Sequence, residues 1–216
     1  MLAEKVESFK KVVFIGAHPD DIDLGCAISI HDHFLKGDEI TTIVLTEGEK
    51  GGDAAMRVKE QIQSLKILAP TSINHILSFT DTQLYFAKNQ IINKLRAIIL
   101  NNVPDVIYIP SMHDFHQDHV VTYECAMNAF NYLKVAKLIC YETPSTTTSF
   151  SPNFFKLCNQ DQFQIKMEAL NRHESQKMKD YFSEDTLHTI AKMRAVQARC
   201  HSALAEAFEI IRATEV

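Results

Sequence analysis

No apolar run in this sequence approaches the roughly 20 residues that cross a bilayer, and its opening, MLAEKVESFK, lacks the apolar segment of a signal peptide. Neither a membrane span nor a secretory leader is expected, and the cytoplasm is the expected location. Basic charge is not in excess: the formal net charge is −5, which leaves no electrostatic footprint for nucleic acid or an anionic membrane surface. The five cysteines, Cys26, Cys125, Cys140, Cys158 and Cys200, stand far apart with no C-x-x-C pair. That excludes a disulfide framework and a thiolate zinc site, and they read as reduced residues. Dinucleotide and phosphate-loop glycine patterns are missing, as is the G-x-S-x-G of a serine nucleophile elbow. No internal repeat, low-complexity tract or Pro/Gly-rich linker divides the chain, so its 216 residues, 46% of them apolar, suit one globular domain spanning 1–216.

What is present is an alternation of β-rich and helical patterns. Strands are expected at 11–16, 39–46, 75–79, 105–110 and 137–142, and helices at 26–36, 54–68, 89–101 and 120–133. This pattern predicts an α/β fold: a Rossmann-like, doubly wound, mostly parallel sheet with helices on both faces. The last third, about 153–216, reads as a helical C-terminal portion packed on the same domain. Its helices are expected at 161–176 and 184–212, with at most a short terminal strand at 208–212.

Doubly wound sheets bind ligands beyond the carboxyl ends of their strands, where strand order reverses. With the common order 3-2-1-4-5, the loops after the first and fourth strands flank that crevice. The first is GAHPDDIDLG and the second SMHDFHQDHV; both are crowded with histidine and aspartate. Three aspartates in four positions repel one another, and a divalent cation neutralises that repulsion. Imidazole and carboxylate are zinc ligands, and a catalytic site keeps three of them with a fourth position open. His18, Asp21 and His119 are the candidate ligands, with His113 as an alternative to His119. A His/His/Asp set also suits Fe²⁺ or another divalent ion.

The same two loops supply candidate catalytic groups. Asp20, beside the metal without ligating it, can take a proton from water and pass it to a leaving amine. His116 can face a developing oxyanion as a cationic or hydrogen-bonding partner, and Asp118 can orient an imidazole. Asp23 is either outer support for the site or a polar residue of the helix start. Gly51 and Gly52 mark a mobile loop at the crevice rim. His31 and His33 point to different sides of a helix, and His75, His173, His188 and His201 read as solvated or core-satisfied.

AHPDD after the first strand, IVLTEGEKGG after the second, Arg57 and Glu60 in the next helix, FTDTQL, HQDH and the late segments KMEALNRHESQ and LAEAFEIIR together resemble the LmbE/PIG-L family of zinc-dependent N-deacetylases. The resemblance covers nearly the whole chain. It implies His18, Asp21 and His119 on zinc, Asp20 as base and then acid, and His116 at the tetrahedral intermediate. It also implies that Arg57 and Asp81 contact a sugar. The chain departs from the family at Ile22 and Asp23, where an acid often directly follows H-P-D-D, and at GCAIS in place of GCGGT.

The expected activity is hydrolysis of an N-acetyl group from an amino-sugar-containing small molecule. Rival expectations are hydrolysis of another amide, for instance on an antibiotic intermediate, and a metal-bearing sugar-binding module without turnover. The expected partner is the small-molecule substrate, without nucleic acid or membrane, and the sequence leaves homo-oligomerisation open.

Overall fold

Burial is unbroken from Val12 to Gly16 along β1 (Lys11–Gly16), and this fixes the layers of the molecule. Val13 and Ile15 join one apolar cluster, while Val12 and Phe14 join another on the opposite face of the sheet. A strand buried on both faces needs helices above and below it. The computed structural model describes residues 9–100, 102–201 and 203–214. The opening segment read for a leader lies mostly outside these, as does Asn101, the expected end of the third helix.

Five parallel strands follow the expected order. β2 (Glu39–Thr46) and β3 (Ile73–Phe79) lie on one side of β1, and β4 (Val106–Pro110) and β5 (Lys137–Tyr141) on the other. Gly16 pairs with Val44 and Val12 with Val106, so strand order reverses between β1 and β4. One face is covered by α3 (Lys88–Ile99) and α4 (Gln117–Phe130), which bring Ile91, Leu95, Val121 and Cys125 against Ile43, Ile107 and Ile109. The other face carries α1 (Asp21–Leu35) and α2 (Ala54–Leu68), whose Ile22, Cys26 and Leu65 pack against Phe14, Val44 and Tyr108.

Two expectations from the sequence are corrected. Helix α1 begins at Asp21, not at residue 26, because every residue from Asp21 to Ile30 is buried and no polar face marks the first turns. Gly25 belongs inside it: a Cβ there would lie 2.3 Å from Tyr141 Cδ2. The C-terminal third is also less helical than expected. α5 (Gln160–Leu170) and α6 (Glu184–Gln197) are helices, but β7 (Leu204–Ala213) is a ten-residue strand and β6 (Phe154–Cys158) precedes α5. The full order is β3-β2-β1-β4-β5-β7-β6, with β7 antiparallel to both neighbours. LAEAFEIIRA is rich in helix formers, yet here its backbone pairs with strands on both sides, and tertiary context overrides propensity.

A buried ion pair joins this added edge to α1. Glu206 on β7 accepts from Ile28 N and Ser29 N at 2.9 Å each and from Ser29 Oγ at 2.8 Å, and meets Lys166 Nζ at 3.0 Å. Lys166 Nζ also donates to Leu24 O at 2.6 Å. α5 thereby fixes α1, whose N-terminus carries half of the site. Among the described residues no helix is long and apolar enough to cross a membrane.

Candidate active site

The loops following the five parallel strands meet at one end of the sheet around a cavity of about 470 Å³. Its lining includes His18, Asp20 and Asp21 after β1, Arg57 on α2, Asp81 after β3, and His116 and His119 from the β4 loop and α4. The two histidine-rich segments therefore converge as the strand order demanded. The imidazoles of His18, His116 and His119 stand together, with ring centroids 4.7 Å apart for His18–His116 and His116–His119 and 5.5 Å for His18–His119.

The Asp21 carboxylate sits between two of these rings. Its Oδ1 lies 3.1 Å from His119 Nε2, and its Oδ2 lies 3.4 Å from His18 Nδ1. Oδ2 also accepts from Ala17 N and His18 N at 2.9 and 2.8 Å, which locks the HPDD turn. On its far side, His18 Nε2 faces Asp81 Oδ1 at 3.1 Å and Asp118 Oδ2 at 3.4 Å. Among the described residues two side-chain sets lie close enough to share a cation: His18, His116 and His119, and His18, Asp81 and Asp118. Neither set contains His113, and neither contains the expected ligand Asp21, whose carboxylate instead bridges His119 and His18.

The donor chemistry fits a divalent cation. Burial pushes His119 down, but Asp21 and Asp114 outweigh it and raise the ring to about 9. His18 is likewise raised by Asp118, Asp21 and Asp81 against its burial. These carboxylates thus hold positive charge where a metal would sit. Asp118 Oδ1 is buried without a hydrogen-bond partner among the described residues, an acceptor left over for a cation.

Asp20 occupies a different environment. Burial and then the charge of Asp21 raise its carboxyl above the usual range, against the pull of Arg57. Its backbone is left-handed, with φ 107°, a conformation strained for a residue with a Cβ. Arg57 Nη2 donates to Asp20 Oδ2 at 3.1 Å and to Pro19 O at 2.6 Å, and Nη1 donates to Gly48 O at 2.7 Å. The guanidinium lines the cavity while clasping the two loops. Gly48 permits this: its φ is 70°, and a Cβ would lie 2.2 Å from Arg57 Nη1. The rim loop expected to be mobile is tied further by Lys50 N to Asp81 Oδ2 at 3.0 Å and Gln176 Nε2 to Gly51 O at 3.2 Å.

His116 is the N-cap of α4, and its Nδ1 accepts from Asp118 N at 3.3 Å. That bond places the proton of the neutral ring on Nε2. Burial, then the positive rings of His18 and His119, lower its pKa, so the neutral form prevails. Of the two roles left open by the sequence, hydrogen bonding is the one this environment favours.

Several residues at the site carried no readable signal. Asp114 Oδ2 lies 3.1 Å from His119 Nδ1, and the carboxylate accepts from His116 N, Thr143 Oγ1 and Ser145 Oγ at 2.8, 2.7 and 2.6 Å. Asp114 stands within the segment that sequence reading singled out, but only the loop after β5 reveals its partners. Lys179 and Tyr181 reach the cavity from the segment between α5 and α6. Asp23 is fully buried, bound to Gln61 and His173 and facing no solvent.

Residues 13–130, more than half of the chain, match the profile of the PIG-L family, described as GlcNAc-PI de-N-acetylase. The chain belongs to the PIG-L family. It is 38% identical over 172 residues to the uncharacterized deacetylase YaiS of Escherichia coli K12, covering 77% of this chain and 91% of that protein. The diacetylchitobiose deacetylase of Thermococcus kodakarensis is 26% identical over 213 residues, 87% of this chain and 79% of that protein. Among solved structures, the N,N'-diacetylchitobiose deacetylase of Pyrococcus horikoshii, complexed with its inhibitor MPG, superposes with a TM-score of 0.78. It is 24% identical, over 94% of this chain and 84% of that one. Membership of the PIG-L family makes this chain a member of a deacetylase family, and the structural likeness shows the shared fold.

Proposed function

We propose that the protein is a zinc-dependent hydrolase that removes the N-acetyl group from an N-acetylglucosaminyl-type small-molecule conjugate, releasing acetate and a free amine. The observation that carries this reading is Asp20: a buried carboxyl with a raised pKa, beside the imidazole and carboxylate cluster at the floor of the cavity. Family membership and the diacetylchitobiose deacetylase relatives support the amino-sugar class of substrate.

In this reading His18, Asp21 and His119 would hold the ion, while Asp81 and Asp118 orient His18 through Nε2 and Asp114 orients His119 through Nδ1. The chemistry that a bound zinc ion supplies is Lewis-acid: polarisation of the amide carbonyl and a lowered pKa for the attacking water. Asp20 accepts the proton of that water as it attacks, then delivers it to the departing amine, its raised pKa suiting both tasks. His116 donates from Nε2 to the oxygen on which negative charge develops. Arg57 holds the Asp20 side chain and the loop after β2 in register, and its guanidinium lines the cavity in which a sugar would bind.

The test is Asp20→Asn with zinc reconstituted and acetate release measured on N,N'-diacetylchitobiose and other N-acetylglucosaminyl conjugates. Turnover should fall by roughly 10²- to 10⁴-fold, with metal content near that of the wild type. Full activity in this variant on a cognate substrate refutes the assignment.

A further inference from the structure

Behind Asp20, away from the cavity, lies a chain of side chains whose members are sealed from solvent. Gln61 on α2, Asp23 on α1 and His173 after α5 are each 0% exposed. Asp20 N donates to Gln61 Oε1 at 2.7 Å. Gln61 Nε2 donates to Asp23 Oδ2 and Oδ1 at 3.0 and 3.2 Å, and His173 Nε2 meets Asp23 Oδ2 at 2.6 Å. The polarity of this chain admits one orientation. A backbone N–H requires the oxygen of the Gln61 amide, and an acceptor-only carboxylate requires its nitrogen and a protonated His173 Nε2.

We infer that His173, acting through Asp23 and Gln61, is a positioning residue that holds Asp20 in its catalytic conformation; this rests on the reading of Asp20 as the general base. Two features of the relay argue for this. The first is the strained backbone at its end. Asp20 has φ 107° and ψ −29°, and a non-glycine residue stays there only when its surroundings over-determine it. Gln61 fixes its N–H, while Asp23 N and Leu24 N bind its carbonyl at 3.1 and 2.9 Å. The second is the single use of His173. Its Nδ1 has no partner among the described residues, so the polar function of a fully buried ring is given to Asp23.

Neighbouring contacts explain why this anchor comes from so far along the chain. Ser175 N and Oγ donate to Glu60 at 2.8 and 2.6 Å, and Gln176 Nε2 donates to Gly51 O. The segment 173–176 thus clamps α1, α2 and the loop after β2 into one unit. A shift of its register reaches Asp20 through Gln61.

The experiment compares Gln61→Met, His173→Phe, His173→Gln and the Q61M/H173F double variant in the zinc-reconstituted full chain. The readouts are kcat and KM for acetate release from N,N'-diacetylchitobiose, zinc per chain, and Tm. Gln61→Met leaves the buried His173–Asp23 pair intact and cuts only the last link, so a loss in that variant does not reduce to a broken fold. The relay predicts that kcat falls by about ten- to a hundred-fold in Q61M and H173F, with KM and zinc content close to wild type. H173Q, which can still donate to Asp23, recovers part of the loss, and the double variant is no worse than Q61M. Unchanged kcat per zinc-loaded chain with only a lowered Tm overturns the inference, as do losses that multiply in the double variant. An inactive Asp20→Asn beside an active Q61M refutes the relay alone, whereas an active Asp20→Asn refutes the base itself.

Discussion

Replacing Asp114 with alanine should loosen the metal before it slows the chemistry. Its Oδ2 lies 3.1 Å from Nδ1 of His119, the proposed ligand. Burial would raise this carboxyl, but the hydrogen bonds from His119, Ser145 and His116 hold it at about 2. Asp114 therefore keeps its charge at any working pH and fixes the ring that, in the proposed site, would present Nε2 to the ion. Loss of such an outer partner costs about 10- to 100-fold in metal affinity, equivalent to roughly 1.4–2.8 kcal/mol. His119 should also drop below its value of about 9, since Asp114 is one of the charges that raise it. The assay is competitive zinc titration against a chromophoric chelator at fixed pH, with Asp114→Asn as a control that keeps an acceptor for His116 N but loses the charge. Alanine should bind zinc most weakly, asparagine at an intermediate level, and wild type most tightly. A folded D114A protein with the wild-type zinc Kd refutes the argument that Asp114 acts through His119.

Proton linkage gives a second prediction. The metal-free His119 sits at about 9 against an ordinary 6.5, so its contribution to folding is complete below pH 6.5 and is lost as pH rises through 9. Metal-free protein should melt lower at pH 9 than at pH 7. Zinc binding at pH 7 should release protons, read by calorimetry in buffers of different ionisation enthalpy; no proton release contradicts the raised value. Glu206→Ala leaves Lys166 buried without its counter-charge and two N–H groups of α1 without their carboxylate. A loss of about 3–5 kcal/mol is expected, seen as a Tm roughly 6–20 °C lower, and a Tm within error of wild type rules the coupling out. Gly48→Ala meets both a left-handed backbone and the Arg57 guanidinium. Its kcat should fall more than its zinc content, and unchanged kinetics would show that Arg57 does not hold Asp20.

The alternation of buried strands with helices was legible because each element spans few residues and its period is local: β1, β2 and α2 stand where their patterns put them. HPDD and HQDH were legible because a doubly wound sheet sends the loops after its first and fourth strands to the same crevice. Family membership likewise followed from those short motifs. The start of α1 was hidden because its first ten residues are buried on all sides and leave no solvent-facing stripe to give a period. β7 was hidden because its alanines, leucine and glutamates favour a helix until β5 and β6 bind it from either side.

Asp114, Gln61 and His173 belong to the same class of omission. Asp114 gains its meaning from Thr143 and Ser145, about thirty residues later, and His173 reaches Asp23 across 150 residues. The sequence by itself determined the parallel sheet, the convergence of its two His/Asp-rich loops and the family to which the chain belongs. Only the tertiary structure decided which carboxylate meets which imidazole and which bonds surround the strained backbone of Asp20. Those are pairwise distances between segments remote in sequence, and no local periodicity encodes them.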